Sequence, residues 1–481
     1  MALSAGGCSR SNEPSQHGPL KPCRLPGIAE ELFCGKLTVP ENRQTRVGRT
    51  IDLNVVVMPA LEGGAKEEPL FDLAGGPGLA ATSGAMFYAT EGKEFRRGRD
   101  VVLVDQRGTG ESNPLAAAPK LRNPQDYVGD MYPIEYVETL RHALEKKADL
   151  TQYTTSIAMD DLDDVRAWLG YDRINLFGLS YGTRAALVYL RQHPQRVRSM
   201  ILMGVSPTNH KLPLHHARGA QRAMDLLLDE CARDGRCSSA FPEVRREWEE
   251  LMAKLKGEPA RVAYALPEGG GEVTVEIRDD IFAEKLRKRM YSPAGARQLS
   301  LIIHHAARGD FSPFLQLVIP KDRSQPDFDA DGMYLSVTCA EDTRFIDQEE
   351  AARMNAGNPF GNYRVLQQTR ACSMWPQGDI PADYHQPVAS EVPVLLISGN
   401  MDPVTPPEYG EEVARQLPNS RHVVIAHHAH IPDGLTNIEC LNNLMLEFLL
   451  NAVPQSLDPG CVATMHPPPF TIELAELERR F

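Results

Sequence analysis

A serine stands between two glycines in G-L-S-Y-G, Gly178 to Gly182, where the apolar run I-N-L-F gives way to the helical spacing of Y-G-T-R-A-A-L-V-Y-L. Such a serine could be a nucleophile. The glycines then have a mechanical purpose: a strand-to-helix turn sharp enough to lift the hydroxyl out of a sheet leaves no room for side chains two residues to either side. At a helix N-terminus, backbone N–H groups can also meet a developing oxyanion. A free hydroxyl is a weak nucleophile at neutral pH, so Ser180 needs a base, and the base needs an orienting acid. In this arrangement the acid, then the histidine, follow the serine in the chain. Asp402 follows the late apolar run V-P-V-L-L-I-S-G-N, and Thr405, three residues on, can turn its hydroxyl back toward that carboxylate. The histidine should follow the next strand, where S-R-H-V-V-I-A-H-H-A-H offers His427, His428 and His430. The chemistry of such a set is acyl transfer through an acyl-serine.

Several elements must hold these residues. C-G-K-L-T-V-P-E-N and R-T-I-D-L-N-V-V-V-M-P-A alternate and predict an opening antiparallel pair. P-L-F-D-L-A-G-G and V-V-L-V-D-Q-R-G are short, nearly continuous apolar runs, as in strands buried on both faces of a parallel sheet. Helix, strand, helix and strand follow in turn to Pro207, which is the rhythm of a wound α/β sheet. That rhythm lapses from about 209 to 391, where amphipathic helical pieces dominate, and resumes with V-P-V-L-L-I-S-G-N. The expected organisation is a tether over 1–22, a core over 23–208 and 392–452, a cap over 209–391, and a proline-rich tail over 453–481.

The chain has 481 residues and a net charge of −13, with no long basic run, so a nucleic-acid partner is not expected. No window approaches the roughly 18 apolar residues of a membrane span. Of nine cysteines, eight fall into sequence neighbours: Cys23 with Cys34, Cys231 with Cys237, Cys339 with Cys372, and Cys440 with Cys461. Four local disulfides are possible, although spacing alone leaves their connectivity open, and bridges would imply an oxidising compartment. Cys8, in L-S-A-G-G-C-S-R, resembles the end of a bacterial lipoprotein leader. Membrane anchoring is expected only through a lipid there, on a protein that is periplasmic, cell-surface or secreted.

Together A-G-G-P-G (Ala74 to Gly78), D-Q-R-G-T-G-E-S (Asp105 to Ser112), G-L-S-Y-G-T and G-N-M-D-P-V-T-P resemble the proline iminopeptidase and tripeptidyl aminopeptidase family of α/β-hydrolases. C-G-K-L-T-V-P-E-N, V-T-C-A-E-D and N-Y-R-V-L-Q-Q-T-R-A-C-S-M-W-P resemble more narrowly its tripeptidyl aminopeptidase branch. The resemblance runs from about Cys23 to Leu450. It implies an α/β-hydrolase fold with a mostly parallel sheet and a large, mainly helical cap inserted between two late strands. It also implies His430 as the base, with His428 as the alternative because the glycines usual around this position are missing. The oxyanion donors would be the backbone N–H of Tyr181 and, by family position, that of Gly76, with Ala74 in place of the usual histidine. Asp105 and Arg107 are expected to brace the loops as a buried charge pair.

The implied activity is an exopeptidase releasing short N-terminal peptides or amino acids, the alternative being a carboxylesterase on small esters. Substrates would be small peptides, amides or esters. An exopeptidase must recognise an α-ammonium group, and Glu341 and Asp342 of the cap motif are the expected counter-charges; otherwise they cap a helix beginning at E-D-T-R-F. A receptor on the same fold would have no use for Ser180, Asp402 and His430 together. G-P-G-L-A-A mimics a dinucleotide fingerprint, but Pro77 removes an N–H that a pyrophosphate would need. No cofactor is expected, and no metal, since the histidine cluster lacks H-E-x-x-H or a carboxylate partner.

Overall fold

A computed structural model describes residues 18–62, 64–116, 123–266, 271–320 and 330–477; Cys8 and most of the expected tether lie outside them. The strands are β1 (Lys21–Cys23), β2 (Leu32–Pro40), β3 (Thr50–Met58), β4 (Leu70–Leu73), β5 (Val101–Val104), β6 (Ile174–Leu179), β7 (Val197–Met203), β8 (Ala260–Ala265), β9 (Glu272–Ile277), β10 (Val394–Gly399) and β11 (Ser420–Ile425). Among the described residues, nine of them form one sheet in the order β1-β2-β3-β5-β4-β6-β7-β10-β11. β1, β2, β3 and β5 pair antiparallel, and every pairing from β5 onward is parallel.

The continuous apolar runs divide by strand alternation between two layers. Val101, Leu103, Ile201, Met203, Leu395 and Ile397 pack with Phe448 and Leu449 of the helix Ile438–Asn451. Val102, Val104, Met200, Leu202 and Leu396 face the other way, onto Leu162 and Val165 of the helix Thr155–Trp168 and Leu187 and Leu190 of the helix Tyr181–Gln192.

The chain between β7 and β10 is not one body. Helices His216–Arg233, Val244–Gly257, Asp279–Arg289 and Leu299–Ala307 share their own core, with Leu227, Trp248, Phe282 and Ile302 at its centre. The helix Asp331–Glu341 instead sends Leu335, Val337 and Cys339 into the sheet-side core beside Tyr181, and the helix Tyr363–Cys372 spans both, with Tyr363 in the first core and Ala371 in the second. The helix Asp331–Glu341 thus packs on the sheet layer, because its apolar face matches that layer.

Disulfides join Cys23–Cys34, Cys231–Cys237, Cys339–Cys372 and Cys440–Cys461. Each closes a local loop, and such bridges typically contribute about 2–4 kcal/mol. The expected Asp105–Arg107 pair does not form. Arg107 Nε and Nη2 donate to Asp161 at 2.6 and 2.8 Å, while the Asp105 carboxylate accepts from Asn54 Nδ2, from the Thr82 amide and hydroxyl, and from the Glu111 amide. Both side chains brace loops, each through other partners. Among the described residues, no helix is long and apolar enough to cross a membrane.

Candidate active site

β6 delivers Ser180 to a turn with φ 57° and ψ −122°, a left-handed conformation that costs about 1–3 kcal/mol for a non-glycine residue. The two glycines explain why the chain can adopt it. A Cβ on Gly178 would lie 2.5 Å from the Gly182 carbonyl oxygen, and one on Gly182 would lie 1.9 Å from the Leu73 carbonyl oxygen. Neither position tolerates even alanine. The Ser180 amide donates to the Met203 carbonyl at 2.9 Å, which ties the elbow to the end of β7.

The loop after β4 passes over the serine. A Cβ on Gly75 would stand 3.3 Å from Ser180 Cβ and 3.9 Å from Oγ. Gly76 follows at φ 109°, and a side chain there would meet the Gly78 amide at 2.7 Å. On the other side, Tyr181 is the first residue of its helix, where a backbone N–H has no intrahelical acceptor. The Gly76 loop and the Tyr181 amide thus flank the nucleophile.

Asp402 is fully buried after β10. Its Oδ1 accepts from the Val404 and Thr405 amides at 2.7 and 2.9 Å, and its Oδ2 accepts from Thr405 Oγ1 at 2.7 Å and from His430 Nδ1 at 2.8 Å. Burial alone would raise its pKa; the facing His430 and the hydrogen bonds from His430 and Thr405 outweigh burial and hold it at about 2. Because the Thr405 hydroxyl gives its hydrogen to Asp402, it can only accept from His430 Nδ1, 3.1 Å away. Nδ1 therefore carries the proton, and the Nε2 lone pair is left to act as a base.

His430 lies beside Gly204, where a Cβ would come within 3.2 Å of both His430 Cε1 and Thr405 Oγ1. Gly204 directly follows Met203, whose carbonyl holds the Ser180 amide, so the imidazole and the elbow border one stretch of backbone. No hydrogen bond links Ser180 Oγ to His430 among the described residues; such contacts commonly tighten only around a substrate. Tyr291 reaches in from the cap, its ring edge-on to His430 with centroids 4.8 Å apart. Nothing in the sequence marks Tyr291, whereas the glycine ending β7 is a signal that could have been read.

The other histidines face elsewhere. His428 is buried with Nδ1 on the Ala429 carbonyl and Nε2 without a partner, and burial pushes its pKa down to about 4. His427 pairs with Glu230 at 3.1 Å.

Glu341 and Asp342 do not reach the site as expected. Asp342 accepts two hydrogen bonds from Arg184 Nη1 at 2.8 and 3.0 Å, with both side chains fully buried. Glu341 accepts from the amide and hydroxyl of Thr155 and from Tyr384 Oη. Neither carboxylate caps the turn at Thr343–Phe345. Both are committed to core partners, so neither serves as the counter-charge for a substrate amine.

The crossover strands, the elbow and the acid–histidine couple define an α/β-hydrolase, and the chain is a serine hydrolase of that fold. It is similar to tripeptidyl aminopeptidases and proline iminopeptidases. Residues 69–236 match the model of the α/β hydrolase fold and residues 357–461 the model described as TAP-like protein. The chain is 27% identical over 455 residues to the serine protease Hip1 of Mycobacterium tuberculosis, covering 86% of each protein. It is 24% identical over 500 residues to the tripeptidyl aminopeptidase of Streptomyces coelicolor, covering 92% of this chain and 85% of that one. The crystal structure of the proline iminopeptidase of Mycobacterium smegmatis aligns with 18% identity and a TM-score of 0.40, covering 87% of this chain and 98% of that one.

Proposed function

We propose that this serine hydrolase is an exopeptidase that releases short peptides or amino acids from substrate N-termini through an acyl-enzyme on Ser180. The observation that carries the catalytic assignment is the 2.8 Å bond from His430 Nδ1 to the buried Asp402, beside the elbow that presents Ser180. Ser180 Oγ attacks the carbonyl carbon as His430 Nε2 takes its proton; His430 returns that proton to the leaving amine, and water then repeats the sequence on the acyl-serine. The oxyanion is met by the amides of Tyr181 and Gly76, each worth about 10²- to 10³-fold in rate. Asp402 holds the tautomer and stabilises the imidazolium.

The peptidase reading is supported by relatives named for protease and aminopeptidase activity over most of their length. Since Glu341 and Asp342 are committed elsewhere, the α-ammonium must find another carboxylate. A carboxylesterase would use the same acyl-enzyme, and only the walls above the serine separate the two. Four disulfides support a location outside the cytoplasm, whether periplasmic, cell-surface or secreted, with a lipid on Cys8 as the proposed anchor.

The test compares aminoacyl, dipeptidyl and tripeptidyl amides, each with a free and a blocked N-terminus, against short- and long-chain esters, with fluorophosphonate labelling as a check on the nucleophile. A preference for free N-termini supports the exopeptidase. Equal turnover of blocked amides, or a preference for esters, assigns a carboxylesterase.

A further inference from the structure

Tyr181, the residue after the nucleophile, turns its side chain away from the substrate side. Its hydroxyl lies 2.8 Å from Thr155 Oγ1. Thr155 opens the helix Thr155–Trp168, whose N-cap residue Thr154 contributes no side-chain hydrogen bond. That place is filled by Glu341: Oε1 accepts from the Thr155 amide at 2.6 Å, and Oε2 accepts from the Thr155 hydroxyl at 2.8 Å. The negative end of a carboxylate is favoured at a helix N-terminus. Tyr384 Oη also donates to Oε2, and His385 Nε2 holds the Glu341 carbonyl at 2.6 Å. Tyr181, Thr155, Glu341 and Tyr384 are buried, and His385 is half-buried.

The direction of this chain follows from counting hydrogens. While Glu341 is ionised, the Thr155 hydroxyl gives its one hydrogen to Glu341 and can only accept from Tyr181. Tyr181 is then the donor, Thr155 the relay and Glu341 the acceptor. Glu341 ends the helix Asp331–Glu341, two residues past Cys339, whose bridge to Cys372 ties it to the helix Tyr363–Cys372.

We propose that Glu341 is a positioning residue for the oxyanion hole, acting through Thr155 on the Tyr181 side chain and so on the Tyr181 amide. The inference rests on the reading of that amide as an oxyanion donor. It makes correct seating of the Asp331–Glu341 helix a condition for a competent hole: the segment between β7 and β10 would then influence turnover as well as access.

The experiment is a double-mutant cycle read in kcat and KM on one blocked ester and one free-N-terminus amide. Tyr181→Phe and Glu341→Gln should each lower kcat about 10-fold, less than outright loss of a donor, with KM unchanged on both substrates. The double variant should be no slower than the slower single, since both cut one chain. Thr155→Ser, which keeps the hydroxyl, should retain wild-type kcat, and Thr155→Val should not. Multiplying losses, a loss confined to KM, or full kcat in Tyr181→Phe would overturn the inference. If Glu341→Gln does not fold, Tyr181→Phe and Thr155→Val complete the cycle. Undiminished turnover in Ser180→Ala would overturn the underlying reading instead; an inactive Ser180→Ala beside a fully active Tyr181→Phe removes this inference alone.

Discussion

Two threonines bridge two buried carboxylates to the neighbourhood of one serine. Thr405 stands between Asp402 and His430, and Thr155 stands between Glu341 and Tyr181. Both carboxylates are fully buried, and both accept backbone and side-chain hydrogen bonds. Their pKa values nevertheless move in opposite directions, Asp402 down to about 2 and Glu341 up to about 7. The difference lies in what faces them. Asp402 meets an imidazole able to carry a compensating positive charge. Glu341 meets only neutral donors and has the Asp342 carboxylate beside it, while the nearby Arg184 is engaged with Asp342. Neutral hydrogen bonds do not offset burial of a carboxylate as an opposed charge does.

The sharpest way to break this comparison is at the serine both regions serve. Ser180→Ala should lower kcat by about 10⁶ and leave the melting temperature unchanged, because the strain at φ 57° belongs to the backbone and alanine fits it. More than a tenth of wild-type turnover would remove Ser180 from the mechanism. Next in size, Asp402→Asn should cost about 10⁴ in kcat, since an amide neither fixes the His430 tautomer nor supports the imidazolium. A loss below 10-fold would mean that Asp402 does not orient His430.

How much of this was legible depends on how local each determinant is. The elbow is readable because both glycine constraints fall within two residues of Ser180, and Asp402 because a strand end and a chain-order rule converge there. Among His427, His428 and His430 the residues leave the choice open, and only a family resemblance singled out His430; the facing carboxylate comes from another strand. The same limit misled at Glu341 and Asp342. Their partners Thr155 and Arg184 lie far away in the chain, so a carboxylate pair in a cap motif reads as available when it is already committed. Asp105 and Arg107 failed likewise: neighbours in sequence, they turn to Thr82 and Asp161.

The raised pKa of Glu341 gives the comparison a thermodynamic handle. Burial, then the adjacent Asp342, raise it against the hydrogen bonds from Tyr384 and Thr155. Below pH 4.5 the group is protonated folded and unfolded. As pH rises from about 4.5 to 7, the unfolded chain releases a proton that the folded protein keeps, so stability falls, by on the order of 3 kcal/mol. His428, held at about 4, has the opposite sign: its contribution is lost as pH falls from about 6.5 to 4. The raw profile mixes these, but the difference between wild type and Glu341→Gln in denaturant unfolding isolates Glu341. That difference should move against wild type as pH rises through this window. A flat difference would mean that Glu341 titrates normally.

The smallest effect tests the threonine itself. Thr405→Val keeps the shape of the side chain but removes the hydroxyl bonded to Asp402 Oδ2 and close to His430 Nδ1. Asp402 would still hold the amides of Val404 and Thr405, and its Oδ2 would still accept from His430. The carboxylate therefore stays ionised and in place. What is lost is one neutral donor, worth about 1 kcal/mol, and the second acceptor that centres the imidazole between its partners. The expected result is a kcat lowered up to about 10-fold, with KM and the melting temperature nearly unchanged. An unchanged kcat would show that Asp402 alone orients His430, and that the hydroxyl serves only the turn after β10.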